Sequence, residues 1–157
     1  MTASAAPGPG TVVSVNTSRK KGQVKTPVAS AELVAGMGIA GDAHLGFAHR
    51  QVSLLMSEDI EEQRSRLAAE SSIPLGPGAF AENLTTRGID LGALGIGDEL
   101  WLGGGRVRIR VTQIGKECHT KCAVFHLTGD CIMPVRGIFC EVLAGGTVRA
   151  GDAIEKR

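Results

Sequence analysis

The sequence predicts a mainly β fold in which short strands are joined by tight turns and accompanied by a few short helices. Glycine accounts for 22 of the 157 residues, about twice the share found in an average protein, and aromatic residues for only 3%, with no tyrosine. Frequent glycines indicate many tight turns, which favours short strands over long helices. Residues 96–100 and 150–154 also share the form x-Gly-Asp-x-aliphatic, in which a turn leads into a strand. Two such turns support a small barrel or a folded sheet.

The overall composition excludes several classes of function. A chain of 157 residues with 43% hydrophobic and 21% charged residues suits one globular domain with a sizeable core. The formal net charge of +1 gives no electrostatic basis for binding nucleic acid or an anionic membrane. No apolar segment approaches the roughly 18 residues that a membrane span requires. We therefore expect no nucleic-acid or membrane partner.

The start of the chain predicts a tail rather than a signal peptide. Residues 1–10, MTASAAPGPG, have neither a basic start nor an apolar segment, so we expect a flexible N-terminal tail followed by a single domain over residues 11–157. Such a protein is expected in the cytoplasm. There, four cysteines are more naturally reduced thiols or metal ligands than structural disulfides.

The first third of the chain predicts a strand followed by two loops. Residues 11–18 alternate valines with polar residues, which is typical of a half-buried strand. The basic residues 19–21 that follow are interpreted as a solvated loop, since three charges fall short of a polybasic patch. Residues 36–50, GMGIAGDAHLGFAHR, are rich in glycine but lack the spacing of a phosphate-binding loop.

The next segment predicts a strand and a helix. Residues 51–56, QVSLLM, form a plausible buried strand. Ser57 can cap a helix, because its hydroxyl accepts an amide hydrogen of the first turn, and acidic residues follow it where the helix dipole favours them. We expect this helix to extend to about Glu70 and residues 71–78, SSIPLGPG, to end it.

The centre of the chain predicts a polar turn and a β-hairpin. In residues 80–87, FAENLTTR, Glu82 and Asn83 lie between apolar neighbours, where they can either bond their own backbone or hold a polar ligand. In residues 89–110 a triple-glycine turn separates two alternating segments, which predicts a hairpin. Three arginines share one face of its second strand and are interpreted as solvent-exposed: Arg106, Arg108 and Arg110.

The segment after the cysteines predicts a helix. In residues 136–143 the apolar side chains of Ile138, Phe139 and Val142 recur at helical spacing, and two glycines at 145–146 provide a stop. Cys140 then lies on the helix, where we interpret it as a small buried thiol.

Three cysteines and two histidines are concentrated in residues 113–131, QIGKECHTKCAVFHLTGDC. One hypothesis is a structural zinc site made by Cys118, Cys122, Cys131 and Cys140. The spacings of three, eight and eight residues offer only one close pair, whereas zinc ribbons and fingers usually have two. A second hypothesis is a set of buried thiols without chemistry.

A third hypothesis is a reactive or metal-binding thiolate at Cys118. Lys116 and His119 flank it with positive charge and hydrogen-bond donors, which favour the thiolate form, and Gly115 lets the backbone bend at the end of the strand. Only the thiolate acts as nucleophile or metal ligand. These residues are the strongest candidates for chemistry in the chain.

Several linked motifs resemble the MOSC domain, named for the C-terminal domain of molybdenum cofactor sulfurase, and in particular its small stand-alone bacterial members. The resemblance extends from about Val12 to Ile154. In chain order it rests on GIAGDAHLGFAHRQVSLL, FAENLTTRGIDL, VTQIGKECH followed by Cys122, GDCIMPVRGIF and VLAGGTVRAGD. It implies a MOSC-like β-barrel of mostly antiparallel strands with a few short helices.

The resemblance also implies a site for molybdenum, for the molybdopterin cofactor or for activated sulfur. Cys118 matches the family cysteine that coordinates molybdenum or carries sulfur as a persulfide, and soft thiolate suits both roles. Other residues match recurring positions or could supply donors to a pterin and its phosphate. They are Asp42, His49, Arg50, Glu82, Asn83, Lys116 and His119.

Three functions remain open at this stage. The first is a carrier in which Cys118 accepts sulfur from a separate cysteine desulfurase, or holds cofactor, and serves a molybdoenzyme. We expect no aminotransferase-like domain in this chain, so its part would be pyridoxal phosphate-independent. The second is a molybdenum-dependent reductase of N-hydroxylated compounds that receives electrons from a partner. The third is a non-catalytic module stabilised by zinc or thiols. The sequence does not specify the oligomeric state.

Overall fold

The computed structural model describes residues 9–48, 50–67, 69–116 and 123–157. Within them the chain forms a mainly β structure with short helices. The strands are β1 (Gly10–Thr17), β2 (Thr26–Val28), β3 (Ser30–Val34), β4 (Gly38–Ile39), β5 (Val52–Met56), β6 (Leu84–Arg87), β7 (Glu99–Leu102), β8 (Val107–Ile114), β9 (Ile138–Ala144), β10 (Gly146–Arg149) and β11 (Ala153–Lys156). The α-helices are α1 (Ser57–Leu67), α2 (Ala123–Thr128) and α3 (Met133–Arg136), and short 3-10 turns cover Leu91–Ala93 and Gly103–Gly105.

Seven strands close into a barrel. Their order is β11-β7-β8-β9-β5-β6-β1, and β1 pairs again with β11 to complete the ring, while β2 extends from β1. Within this barrel β5 and β6 are parallel, because the chain between them crosses over through α1, and the other neighbours are antiparallel. The prediction of a mostly antiparallel barrel is therefore confirmed for the described residues.

The strands β10, β3 and β4 form a second, antiparallel sheet. Leu33, Ile39 and Val148 of this sheet belong to the same buried cluster as the barrel core, so the small sheet packs on the barrel rather than forming a separate unit. A closed core of aliphatic side chains is what a sequence with few aromatic residues can build.

A second hydrophobic cluster lies outside the barrel. Ile60 and Leu67 of α1, Val124 of α2 and Met133 of α3 pack there with Phe80. The apolar face of α1 is narrow because its other positions are charged, as the sequence indicated. None of the described helices has the length and apolar character needed to cross a membrane.

The sequence predicted the hairpin and the two Gly-Asp turns correctly. β7 and β8 pair antiparallel around residues 103–105. Both turns bend at a glycine of positive φ, Gly97 at 96° and Gly151 at 97°, a conformation glycine adopts without steric cost. Asp98 and Asp152 cap them by accepting backbone hydrogen bonds. The strands that follow, β7 and β11, are neighbours in the barrel.

The predicted helix over residues 136–143 is wrong. Only α3 (Met133–Arg136) is helical there, and residues 138–144 form strand β9. Ile138, Cys140 and Val142 face the barrel core, whereas Phe139 belongs to the outer cluster. Because both faces of β9 are covered, its apolar residues do not alternate with polar ones, and the pattern imitates helical spacing.

The first strand and the first helix lie close to their predicted bounds, and the three arginines of the predicted hairpin are only partly exposed. The strand predicted at residues 11–18 is β1, which begins at Gly10, inside the range predicted as a tail, and residues 1–8 lie outside the described part of the chain. The helix predicted from Ser57 ends at Leu67. Arg106, Arg108 and Arg110 are partly exposed and pair with Asp152, Glu99 and Glu141 respectively.

Candidate functional site

A pocket of about 360 Å³ opens between the loops before β5, the turn after β8 and the α2–α3 region. Its volume lies within the range of small-molecule sites. Its aromatic lining residues are Phe47, Phe80, Phe125 and Phe139, its cationic lining residues are Lys21, Arg50 and Lys116, and its other polar side chains include His44, Ser53, Asp130 and Cys131.

The cations and the phenyl rings of the pocket are arranged together. The ammonium of Lys21 lies 3.7 Å from the centroid of the Phe47 ring, and the guanidinium of Arg50 lies 5.1 Å from the same ring. The second ring is that of Phe139. The Arg50 guanidinium lies 6.0 Å from its centroid and the Lys116 ammonium 5.9 Å from it. Cations at these distances are held by the ring quadrupole. The result is a positively charged site with aromatic walls, which suits an anion that carries a flat ring.

Local turns place two of these cations. Gly115 follows β8 with a φ of 65°, and its amide donates to the carbonyl of Gly137 at 2.8 Å. The amide of Lys116 then donates to the carbonyl of Pro134 at 3.1 Å. Arg50 immediately precedes Gln51, whose side chain bonds the backbone of Gly36, Ala48 and Val142. These hydrogen bonds hold the turn that carries Lys116 against α3 and the residue after Arg50 against neighbouring backbone.

Asp42 is the centre of a buried polar cluster beside the pocket. One carboxylate oxygen accepts from the Lys25 ammonium at 2.8 Å and from the Ser18 amide at 3.1 Å, and the other accepts from the His44 amide at 3.0 Å. Burial on its own raises the pKa of this carboxyl. The neighbouring His44 and Lys25 groups outweigh that effect and hold the pKa of Asp42 well below its usual range. Asp42 is thus a buried carboxylate that orders the loop carrying His44.

Glu82 and Asn83 lie in a second buried network, between β1, β5 and β6. The Asn83 amide oxygen accepts from the Ser53 backbone at 3.0 Å, and its amide nitrogen donates to the Asn16 carbonyl at 3.1 Å. One Glu82 oxygen accepts from the Gly78 amide and from Thr85, at 2.9 and 2.6 Å. These hydrogen bonds join the strands to the loop that carries Ala81, which does line the pocket.

The predicted site residues are therefore only partly assembled in one place. Arg50 and Lys116 line the pocket, and Asp42 lies behind its wall, whereas the side chains of Glu82 and Asn83 are not among its described lining residues. The predicted residues His49, Cys118 and His119 lie outside the described residues, as does Cys122. Their predicted roles stay predictions.

Of the four cysteines in the zinc and thiol hypotheses, Cys131 and Cys140 lie in the described part of the chain. Among the described residues, no group of three or more His, Cys, Asp or Glu could hold a metal ion. Cys140 is fully buried in the barrel, where burial raises the pKa of its thiol well above its usual range. It therefore has the role of a packed core thiol. Cys131 lines the pocket instead.

Sequence reasoning missed several pocket residues. Lys21 was assigned to a solvated loop, and His44 and Phe47 were given no role. Their association depends on a ring contact of 5.6 Å between His44 and Phe47 and on the position of Lys21 over the same ring. Only the spacing Asp42-x-His44 was visible in the sequence. It is too common a pattern to indicate a site by itself.

The closed, mostly antiparallel barrel and its pocket with cationic and aromatic lining residues define the chain as a small β-barrel domain. The family model of the MOSC domain matches residues 41–155, and the chain belongs to this family. The MOSC family is generally linked to molybdenum cofactor binding and to sulfurase-like function.

Solved structures share the fold. The YUAD protein from Bacillus subtilis has a TM-score of 0.74 at 20% identity, with 94% of each chain covered. YiiM from Geobacillus stearothermophilus has a TM-score of 0.70 at 23% identity, with 95% of this chain and 75% of that one covered. YiiM from Escherichia coli has a TM-score of 0.68 at 21% identity, with 94% of this chain and 69% of that one covered. Comparison with curated proteins gives no significant match.

Proposed function

We propose that this domain binds molybdenum cofactor, or the molybdenum ion, in the cationic pocket and carries activated sulfur on Cys118 for the maturation of molybdoenzymes. The observation that carries the proposal is the convergence of Lys21, Arg50 and Lys116 on two phenyl rings. Guanidinium and ammonium groups suit a phosphate, and phenyl faces suit a pterin ring. The described residues therefore fit the group that the family implies.

The position of residues 117–122 in the chain supports the proposal that Cys118 carries sulfur. Lys116, the last described residue before residues 117–122, lines the pocket, and so does Val124, the second residue after them. Cations at the pocket favour the thiolate form of a cysteine that works there. The bound cofactor would supply the molybdenum that a molybdoenzyme needs for its maturation.

The sulfur step that we propose is a transfer between thiols. The Cys118 thiolate attacks the terminal sulfur of a cysteine persulfide on a separate desulfurase. The bond between the two sulfurs of the donor breaks, and the donor cysteine leaves as a thiolate. Cys118 becomes the persulfide, with no net oxidation or reduction. The partner that accepts this sulfur would be a molybdoenzyme.

The test measures cofactor and sulfur separately. Wild type and Cys118→Ser are purified without oxygen from cells supplied with molybdate, and their molybdenum and pterin contents are measured by mass spectrometry. Incubation with glutathione persulfide should add the mass of one sulfur atom at Cys118 in wild type and none in the variant. Equal sulfur uptake by Cys118→Ser would contradict carriage on this residue.

A matched pair of lysine variants tests the pocket. Lys116→Gln removes a cation that lines the site, whereas Lys156→Gln removes one on β11 that pairs with Asp98. We expect cofactor content to fall in the first variant and to stay at the wild-type level in the second. Equal retention in both variants would contradict binding in this pocket.

A further inference from the structure

The His44 imidazole is held between the pocket and a buried carboxylate. Its Nδ1 atom is buried, has no hydrogen-bond partner in the described part of the chain, and lies 3.7 Å from an Asp42 carboxylate oxygen. The ring stacks on Phe47, with centroids 5.6 Å apart and planes 23° from parallel. The side chain is 16% exposed, and because Nδ1 is buried, that exposure belongs to the rest of the side chain. His44 can therefore meet Asp42 through one nitrogen and a ligand through the other.

The charges around His44 oppose one another. Asp42 favours a charged imidazolium, but Lys25, at 2.8 Å from the same carboxylate, balances that charge. Among the described residues, three further cations line the pocket, Lys21, Arg50 and Lys116, against one acid, Asp130. An anion bound among these cations favours the charged imidazolium, because opposite charges attract.

We propose that His44 takes up one proton from water when an anion binds in the pocket, and that the imidazolium then donates from Nδ1 to Asp42 and from Nε2 to the ligand. Asp42 acts as a positioning residue, since it faces the ring and is not among the described lining residues of the pocket. This inference rests on the proposed function, because it needs the pocket to bind an anion. It adds a proton-linked recognition step at His44, which was not among the site residues predicted from sequence.

The test uses pterin-6-carboxylate, a flat aromatic anion, as the probe in isothermal titration calorimetry near pH 7. Repeating the titration in buffers of different ionisation enthalpy measures the protons taken up per ligand bound. Wild type should take up a substantial fraction of one proton and bind more weakly as pH rises. His44→Gln should bind roughly tenfold more weakly, the loss of one charge-assisted hydrogen bond, with no proton uptake and no pH dependence over this range.

A matched histidine variant serves as the control. His126 on α2 is exposed and is not among the described lining residues of the pocket, so His126→Gln should keep the wild-type proton uptake. Long-range proton–nitrogen NMR of wild type follows the His44 ring nitrogens with and without probe. It gives the protonation state even if His44→Gln fails to fold.

The outcomes separate this inference from the proposed function. Probe binding by wild type without proton uptake, or unchanged uptake in His44→Gln, overturns the role of His44 and leaves the pocket standing as an anion site. Failure of wild type to bind the probe at all overturns both the pocket and the inference. Sulfur carriage on Cys118 is tested independently of either result.

Discussion

At the scale of single residues, Glu82 is an acid buried without a full set of hydrogen-bond partners in the described part of the chain. Its side chain is completely buried, and its second carboxyl oxygen has no hydrogen-bond partner there. Burial raises the pKa of Glu82, although hydrogen bonds from Gly78 and Thr85 oppose that effect. The folded protein therefore keeps the Glu82 proton to a higher pH than the unfolded chain does, and the free energy of unfolding decreases as pH rises above about 4.3, the ordinary pKa of glutamate.

Replacing this acid by its neutral amide tests that account. We expect the free energy of unfolding of wild type to fall more between about pH 5 and about pH 8 than that of Glu82→Gln. The reason is that glutamine has no proton to lose over the range where glutamate ionises. Urea unfolding at both pH values measures the change. Glu70→Gln, at an exposed position, should leave the pH dependence of wild type unaltered. A parallel pH dependence in Glu82→Gln and wild type would show that Glu82 does not titrate abnormally.

At the scale of elements, the turn after β8 decides whether Lys116 reaches the pocket. A Cβ atom on Gly115 would lie 2.5 Å from the carbonyl oxygen of Pro134, and the positive φ there is strained for any residue with a side chain. An alanine must therefore displace either the turn or α3. Both movements shift Lys116, whose amide bonds to that same carbonyl.

We expect Gly115→Ala to lose about 1–2 kcal/mol of stability from the left-handed backbone, and also to weaken binding of a pterin probe. Gly97→Ala is the matched control. Its glycine also has positive φ, but a Cβ there meets nothing within 4 Å, and it lies in the turn before β7. Stability should fall in both variants, while probe affinity, measured by fluorescence, should fall only in Gly115→Ala. Unchanged probe affinity in Gly115→Ala would contradict a role of this turn in positioning Lys116 for binding.

A strand with one buried face was easier to predict from sequence than a strand with both faces buried, whose apolar residues fit a strand at β5 and imitated a helix at β9. The β7–β8 hairpin was predicted because Val107 and Ile109 face the core while Arg108 and Arg110 face outward. Strand β9 was misread as a helix because it is covered on both sides. The same limit applies to the pocket, since cation–ring contacts join residues distant in the chain, such as Lys116 and Phe139. Lys116 was identified from its position beside Cys118, whereas Arg50 was identified only through the family resemblance.

At the scale of the whole molecule, the barrel depends on a narrow seam between its first and last strands. Only two residue pairs join β1 and β11 in register, Gly10 with Ile154 and Thr11 with Ala153. Hydrogen bonds of 2.8 Å from Val12 to Asp152 and from Gly151 to Val12 extend the seam. Ile154 is fully buried in the barrel core.

We expect Ile154→Ala to reduce the free energy of unfolding by about 2–5 kcal/mol, because it leaves a cavity at the seam. Ile96→Ala makes the same substitution at a side chain that is 69% exposed and should change stability by less than about 0.5 kcal/mol. Urea unfolding gives both values. Hydrogen exchange at the Val12 and Gly151 amides should accelerate only in Ile154→Ala. Similar losses in the two variants would contradict a closed barrel at this position.

The same seam has a consequence for how fast the protein folds. Gly10 and Ile154 are separated by almost the whole chain, so the ring closes only after a large loss of loop entropy, and contacts of this kind slow folding to roughly milliseconds to seconds. Until closure, β1 and β11 each present an unpaired edge that another molecule can extend. The yield of refolding should therefore decrease at high protein concentration, because unpaired strands of different molecules pair with each other. Once the barrel has closed, these edges are paired and this aggregation route is no longer open.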